Sequence, residues 1–161
     1  PAQALAAVIA STRDRCRSPL QWSDAANAGF SPPEVRTWLP VNANYASGVN
    51  VATQEADPAS LLNFYRRLLH LRRATPALVA GDYEVLHPQS EAYLAFLRRH
   101  ADSGQCCLVV LNFTADRQLV SFDFAANPSH LLFSSASRES GVIGLDALEL
   151  AAFEVFIAEV K

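Results

Sequence analysis

The sequence has no methionine, six glycines, three cysteines and a net charge of only −3. Each shortage excludes something. So few glycines, with no glycine-rich fingerprint, leave no cradle for a nucleotide phosphate. Cys106 and Cys107 are adjacent, and neighbours on a strand point to opposite faces, so they are not expected to pair. No Cys-x-x-Cys and no Cys/His spacing suits zinc. A reduced, cytoplasmic setting fits this cysteine usage best. Nucleic acid or an anionic membrane surface would need a basic excess, and neither partner is expected. No apolar run approaches the ~18 residues of a membrane helix. The Ala-rich start lacks the basic residues and cleavage pattern of a signal peptide. No G-x-S-x-G and no H-E-x-x-H occurs. His70, His87, His100 and His130 are scattered and read as surface or capping residues. No cluster of oxygen ligands suits calcium, and no metal and no cofactor is expected. The chain opens on Pro1, which suggests a piece of a longer protein.

What is present is a chain of 161 residues, half of them apolar. That suffices for one ordinary domain, or for a small domain with part of another. Residues 2–10 read as a short helix by propensity. Residues 11–57 carry Pro19, Pro32, Pro33 and Pro40 and little periodicity. Long segments of this kind are often functional. Trp22, Phe30, Trp38 and Tyr45 stud the segment and should pack against something, with Trp22 and Trp38 as core anchors. Asn27-Ala28-Gly29-Phe30 reads as a turn in which Gly29 supplies a positive φ.

A helix is predicted over residues 58–74. Asp57 is its N-cap, Pro58 its first residue, Leu61, Phe64, Tyr65, Leu68, Leu69 and Leu71 its apolar stripe, and Pro76 its stop. Beyond Ala80 the period falls to two. Strands are predicted at 83–87, 92–99, 106–113, 118–124, 131–135, 147–150 and 153–160, with a hairpin turn at Asp102-Ser103-Gly104. Evenly spaced short strands with polar turns predict an antiparallel sandwich.

One ordered set of motifs is specific. Arg13-Asp14-Arg15-Cys16-Arg17-Ser18-Pro19-Leu20-Gln21-Trp22 is followed by Asn27-Ala28-Gly29-Phe30 and Trp38-Leu39-Pro40-Val41-Asn42. The set resembles R-D-x-x-R-T-P-M-Q-W…N-A-G-F…W-L-P-V-N of α-glucosidases and oligo-1,6-glucosidases in the α-amylase superfamily of glycoside hydrolases. Ser18 and Leu20 stand where Thr and Met are usual. Gly81-Asp82-Tyr83, Val110-Leu111-Asn112-Phe113-Thr114 and Leu150-Ala151-Ala152-Phe153-Glu154 echo the same family's C-terminal stretches.

The resemblance implies a mainly β chain with a helical front. Residues 1–79 would be the last loop and helix of a (β/α)₈ catalytic barrel, and residues 80–161 a C-terminal antiparallel β-sandwich. It implies retaining hydrolysis or transfer of α-linked glucosyl units on an α-glucoside or malto/isomalto-oligosaccharide. The family's catalytic carboxylates lie upstream of this motif, so no catalytic residue is assigned and the barrel is a missing partner. The resemblance also implies that Arg13, the first Arg of the motif, binds substrate, a role that suits a guanidinium, which offers fixed donors to sugar hydroxyls. Asp14, Arg17, Gln21 and Trp22 are candidate supports of its loop. Without the barrel, Leu61, Phe64, Leu68 and Trp38 would be uncovered, so a homodimer of this chain or a repacked front is expected.

Two other readings remain. The chain could be a non-catalytic β-sandwich module that binds carbohydrate or another protein. It could also be the tail of a trehalose synthase or sucrose isomerase, since those enzymes share the loop.

Overall fold

The computed structural model describes Gln3 and residues 17–123, 129–139 and 141–160. The helix expected over residues 2–10 falls outside them, Gln3 apart. The chain divides into two compact units, Pro1–Arg67 and Leu68–Lys161.

The first unit is built from turns and short helices. Two 3-10 turns, Ala26–Gly29 and Ala43–Ser47, precede helix α1, Val51–Ala56. Helix α1 was not expected, since Val-Ala-Thr-Gln-Glu-Ala has no apolar stripe. Its cap explains it: the Asn50 side chain accepts from the Thr53 N–H at 2.8 Å, and its own amide donates to the Tyr45 carbonyl.

The long helix, α2, spans Leu61–Ala74. It starts later than expected, and its cap is Ser60 rather than Asp57. The Ser60 hydroxyl accepts from the Asn63 N–H at 3.2 Å and donates to the Gln54 carbonyl at 2.6 Å. Asp57 ends α1 instead and accepts from the Ala59 N–H. The Asn63 amide then donates to the carbonyls of Gln54, Glu55 and Asp57, knotting the end of α1 to the start of α2. No side chain of α2 is fully buried. Leu61 and Tyr65 are 65% and 57% exposed.

In the second unit Pro76 does more than stop a helix. It opens a further one, α3, Pro76–Ala80, because a proline at the first position lacks only an N–H that would go unpaired anyway. Among the described residues eight strands follow: β1 Asp82–Leu86, β2 Tyr93–His100, β3 Gln105–Asn112, β4 Gln118–Val120, β5 Ser129–Ser134, β6 Val142–Ile143, β7 Leu148–Leu150 and β8 Val155–Val160. Six form one sheet in the order β1-β2-β3-β8-β5-β6, and β4 pairs with β7. Every pairing is antiparallel. The hairpin turn is where the sequence placed it, with Gly104 at φ +67. The strand expected at 118–124 ends at Val120.

Alternation along β3 decides what is buried. Cys106, Leu108 and Val110 face a core shared with Ala95 and Leu97 of β2, Val120 of β4, Leu148 and Leu150 of β7, and Phe156 and Ala158 of β8. That core therefore draws on both sheets. Cys107 and Val109, on the alternate face, are buried too. Helix α3 packs on β2 and β3, with Ala77 fully buried and its N–H donating to the Gln105 side-chain oxygen at 3.1 Å. Gly81 follows because a Cβ there would meet the Ala77 carbonyl at 2.5 Å. Cys106 and Cys107 are free thiols. Burial, with Glu159 beside it, pushes the Cys107 thiol up to about 12. Burial also raises Cys106, with Arg99 opposing.

Two buried polar knots close this unit. Asn112 is 3% exposed. Its amide donates to the carbonyls of Asp116 and Ala151, and its oxygen accepts from the N–H and hydroxyl of Thr114. Glu154 is 1% exposed and pairs with Arg138. It also accepts from the Ser134 hydroxyl and the Ala151 N–H, each at 2.7 Å. Burial alone pushes the Glu154 carboxyl up, yet the hydrogen bonds from Arg138, Ser134 and Ala151 outweigh it and hold the group below its ordinary value. The Arg138 guanidinium also lies 5.3 Å from the centre of the Phe156 ring.

Candidate functional site

The motif residues gather in the first unit. Arg13 and Asp14 lie outside the described residues. Arg17 is exposed and Pro19 buried. From Gln21 onward the local structure is tied tightly. The Gln21 amide donates to the Asn44 side-chain oxygen at 2.8 Å and to the Val49 carbonyl. Its peptide oxygen accepts from the Val51 N–H at 2.9 Å, and that of Trp22 accepts from the Ala52 N–H at 2.9 Å. The extended segment through Trp22 is thereby laid along the start of α1.

The Asn27-Ala28-Gly29 turn is bonded to the same segment. All three residues have positive φ, at 53°, 54° and 66°. Gly29 was expected there, but Asn27 and Ala28 were not. A left-handed alanine costs about 1–2 kcal/mol, and the surroundings offset it. The buried Ala28 carbonyl accepts from the N–H groups of both Trp22 and Ser23, at 2.8 and 3.1 Å. The Asn27 amide donates to the Ser31 hydroxyl and to the carbonyls of Pro32 and Val35.

The aromatic side chains do not fill a core. Trp22 is 50% exposed and Trp38 89% exposed, which corrects the expectation that both anchor one. The Trp22 backbone is held by polar bonds at both its N–H and its carbonyl. Leu20, Val35 and Val49 are uncovered as well. A cleft of about 230 Å³ opens beside Gln21, lined by Ser18, Leu20, Val49 and Gln54 among others. Among the described residues its lining is neutral. It offers amides, hydroxyls and apolar surface, which suit binding of an uncharged polar molecule; glycosidic bond cleavage needs a carboxylate pair.

Sequence reasoning named Asn27 only as part of a turn and missed Asn44 and Asn50; the side chains of all three organise the loop. The asparagine-rich composition of residues 27–50 was the available signal. Among the described residues, no group of three or more His, Cys, Asp or Glu could hold a metal ion. A second cleft, in the sheet unit, is lined by Arg117, Glu149, Arg138 and Glu154. Its charges are paired with one another, Arg117 with Glu149 and Arg138 with Glu154.

A clamped loop, one long helix and an antiparallel sheet, in that order, have the layout of an α-amylase-type segment. Residues 2–81 match the family model described as alpha amylase, catalytic domain. The chain is 33% identical over 117 residues to a probable oligo-1,6-glucosidase 2 of Bacillus subtilis, covering 73% of this chain and 20% of that protein. It is 41% identical over 96 residues to a probable alpha-glucosidase of Rhizobium meliloti, covering 60% and 17%. Among solved structures, the trehalulose synthase MutB of Pseudomonas mesoacidophila MX-45 superposes with a TM-score of 0.79 at 36% identity, over 93% of this chain and 26% of that one. The chain belongs to the α-amylase family. It spans about a fifth of the length of the curated relatives it matches.

Proposed function

We propose that this chain is the C-terminal part of a glycoside hydrolase acting on α-glucosides. Residues 1–79 are then the end of the catalytic barrel and residues 80–161 a C-terminal antiparallel β-sandwich that shields it. The intact enzyme hydrolyses or transfers α-linked glucosyl units with retention, in the cytoplasm and without a cofactor, and its carboxylates lie outside this chain. Arg13 binds substrate. Asp14, Arg17, Gln21 and Trp22 support the loop that carries it.

One observation carries the reading. The motif pieces Gln21-Trp22 and Asn27–Phe30, separate in sequence, are joined by direct hydrogen bonds through the Ala28 carbonyl. Two pieces of the motif are thus held together, and the named relatives are glucosidases. Isomerisation is the second reading, because the solved relative is named a trehalulose synthase. In isolation the chain pairs with a second copy through uncovered apolar residues such as Leu61 and Trp38, which sedimentation would detect as a dimer.

The test compares the intact product of the gene carrying this segment with the chain of 161 residues. Each is assayed on an aryl α-glucoside, isomaltose and sucrose. The intact product should turn over at least one of them and lose apparent affinity on Arg13→Ala, while the short chain stays silent. Turnover by the short chain at a rate that survives Arg13→Ala would overturn the reading. Products from sucrose separate the arms: free glucose marks hydrolysis, an isomeric disaccharide marks isomerisation.

A further inference from the structure

We infer that the outer face of the six-stranded sheet, around Arg98, is a docking surface for the upstream part of the intact protein, and that a carboxylate of that part receives the Arg98 guanidinium. The inference rests on the reading of this chain as the C-terminal part of a longer glycoside hydrolase.

Strand pairing defines the surface. Arg98 stands opposite Tyr83 of β1 and Cys107 of β3, and Cys107 stands opposite Glu159 of β8. Residues paired in this way share one face of a sheet. Here it is the face turned away from the core that holds Ala95 and Leu97. Phe96 pairs with Val85 on the same face. Helix α3 packs near its Gln105 end, while Tyr83 and Val85 stay 54% and 42% exposed. The Tyr83 and Phe96 rings lie 4.9 Å apart, so an apolar patch borders the guanidinium.

Arg98 itself points to the occupant. Its Nε is shut off from solvent and has no hydrogen-bond partner. Its neighbour Arg99, on the opposite face, pairs with Glu84 at 3.1 Å. Among the described residues, Glu159 on the Arg98 row forms no ion pair with it. A buried donor left unmet is costly, more so on a charged group. A carboxylate from outside the chain removes that cost best, because Nε and Nη donate in parallel to its two oxygens. The chain spans 20% of a glucosidase relative, so under the parent reading most of the protein lies beyond it. A covering segment on the same polypeptide is present at high effective concentration, which a second copy is not.

The experiment compares the intact gene product with the chain of 161 residues by hydroxyl-radical labelling of side chains, read by mass spectrometry. Tyr83 should be labelled about fivefold more slowly in the intact product, since a packed interface excludes water. Arg98→Met in the intact product should raise Tyr83 labelling about threefold and lower the thermal midpoint, because it leaves the partner carboxylate buried and unpaired. In the short chain the same substitution should leave the midpoint unchanged or raise it, because it only removes an unmet donor. Arg99→Met, on the opposite face, should leave Tyr83 labelling alone in both. If the short chain fails to fold, the contrast between Arg98→Met and Arg99→Met within the intact product decides. Equal Tyr83 labelling in the two proteins, or Arg98→Met behaving like Arg99→Met, overturns the inference while turnover of an α-glucoside keeps the parent reading. Protection of Tyr83 in the short chain that grows with its concentration assigns the face to a second copy and also overturns it. A wild-type gene product without turnover of any α-glucoside overturns the parent reading, whatever the labelling shows.

Discussion

The two units are held together by different physics. In the sheet unit, Leu108, Val110, Phe156 and Ala158 are fully buried, and alternation along each strand builds the core. Among the described residues of the loop unit the buried side chains are few and small, such as Ala28, Asn50 and Ser60. Many of its described large apolar residues, Trp38 above all, are exposed. What fixes it is a web of asparagine and glutamine amides on backbone carbonyls. Hydrophobic burial is non-directional and sums over area, so it makes a robust framework. Amide hydrogen bonds add less each but specify geometry, so they suit a loop whose residues must stand in defined places.

Three substitutions would break or sharpen that contrast. The largest effect belongs to the sheet core. Phe156→Ala removes a fully buried ring that also lies under Arg138, and should cost about 4 kcal/mol. Urea unfolding followed by far-ultraviolet circular dichroism would show it as a lower midpoint for the sheet unit.

Next comes the polar exception inside that unit. Glu154→Gln leaves Arg138 without its charge partner and should cost about 3 kcal/mol. The pH dependence has a definite sign. The Glu154 carboxyl is held below its ordinary value of 4.5 in the folded protein, so its stabilisation is present above that value and disappears as pH falls through the folded one. Wild-type stability should drop on acidification below about pH 4.5, and the Glu154→Gln profile should be flatter across that window. Parallel profiles would disprove the role given to the pair.

The smallest effect lies in the loop unit. Asn50→Ala removes the cap of α1 and the tie to Tyr45, worth about 1 kcal/mol. Hydrogen exchange should speed up at Thr53 and in the turn before it, with the unfolding midpoint of the sheet unit unmoved. A shift of that midpoint would mean that the amide web matters beyond its own unit.

How much of this was readable in the sequence follows the same division. The strands were legible because alternation is a period of two with β-branched and aromatic residues, and the hairpin was marked by Asp102-Ser103-Gly104. Strand β6 was not, since Val142–Ile143 is only two residues long. The start of α2 was misplaced because Asp57-Pro58 is a good capping signal in isolation, while Ser60 gains from a tertiary partner, the Gln54 carbonyl. In the loop unit the motif named Gln21 and Trp22, but the geometry that joins them depends on Asn27, Asn44 and Asn50. Hydrogen bonds between residues more than twenty positions apart, such as Gln21 to Asn44, leave no periodic trace. The same lack of periodicity hid the fact that both tryptophans stand outside.

The Asn112 knot has a consequence for where this chain can be made. Asn112-Phe113-Thr114 spells an acceptor triplet for N-linked glycans. A eukaryotic secretory pathway reads that triplet as the nascent chain emerges, before β3 has found its neighbours. A glycan attached to the Asn112 nitrogen would replace a hydrogen that the folded sheet donates to a carbonyl, at a position 3% exposed. Export through such a host would therefore trap the sheet open, whereas a host without that modification lets the strand close.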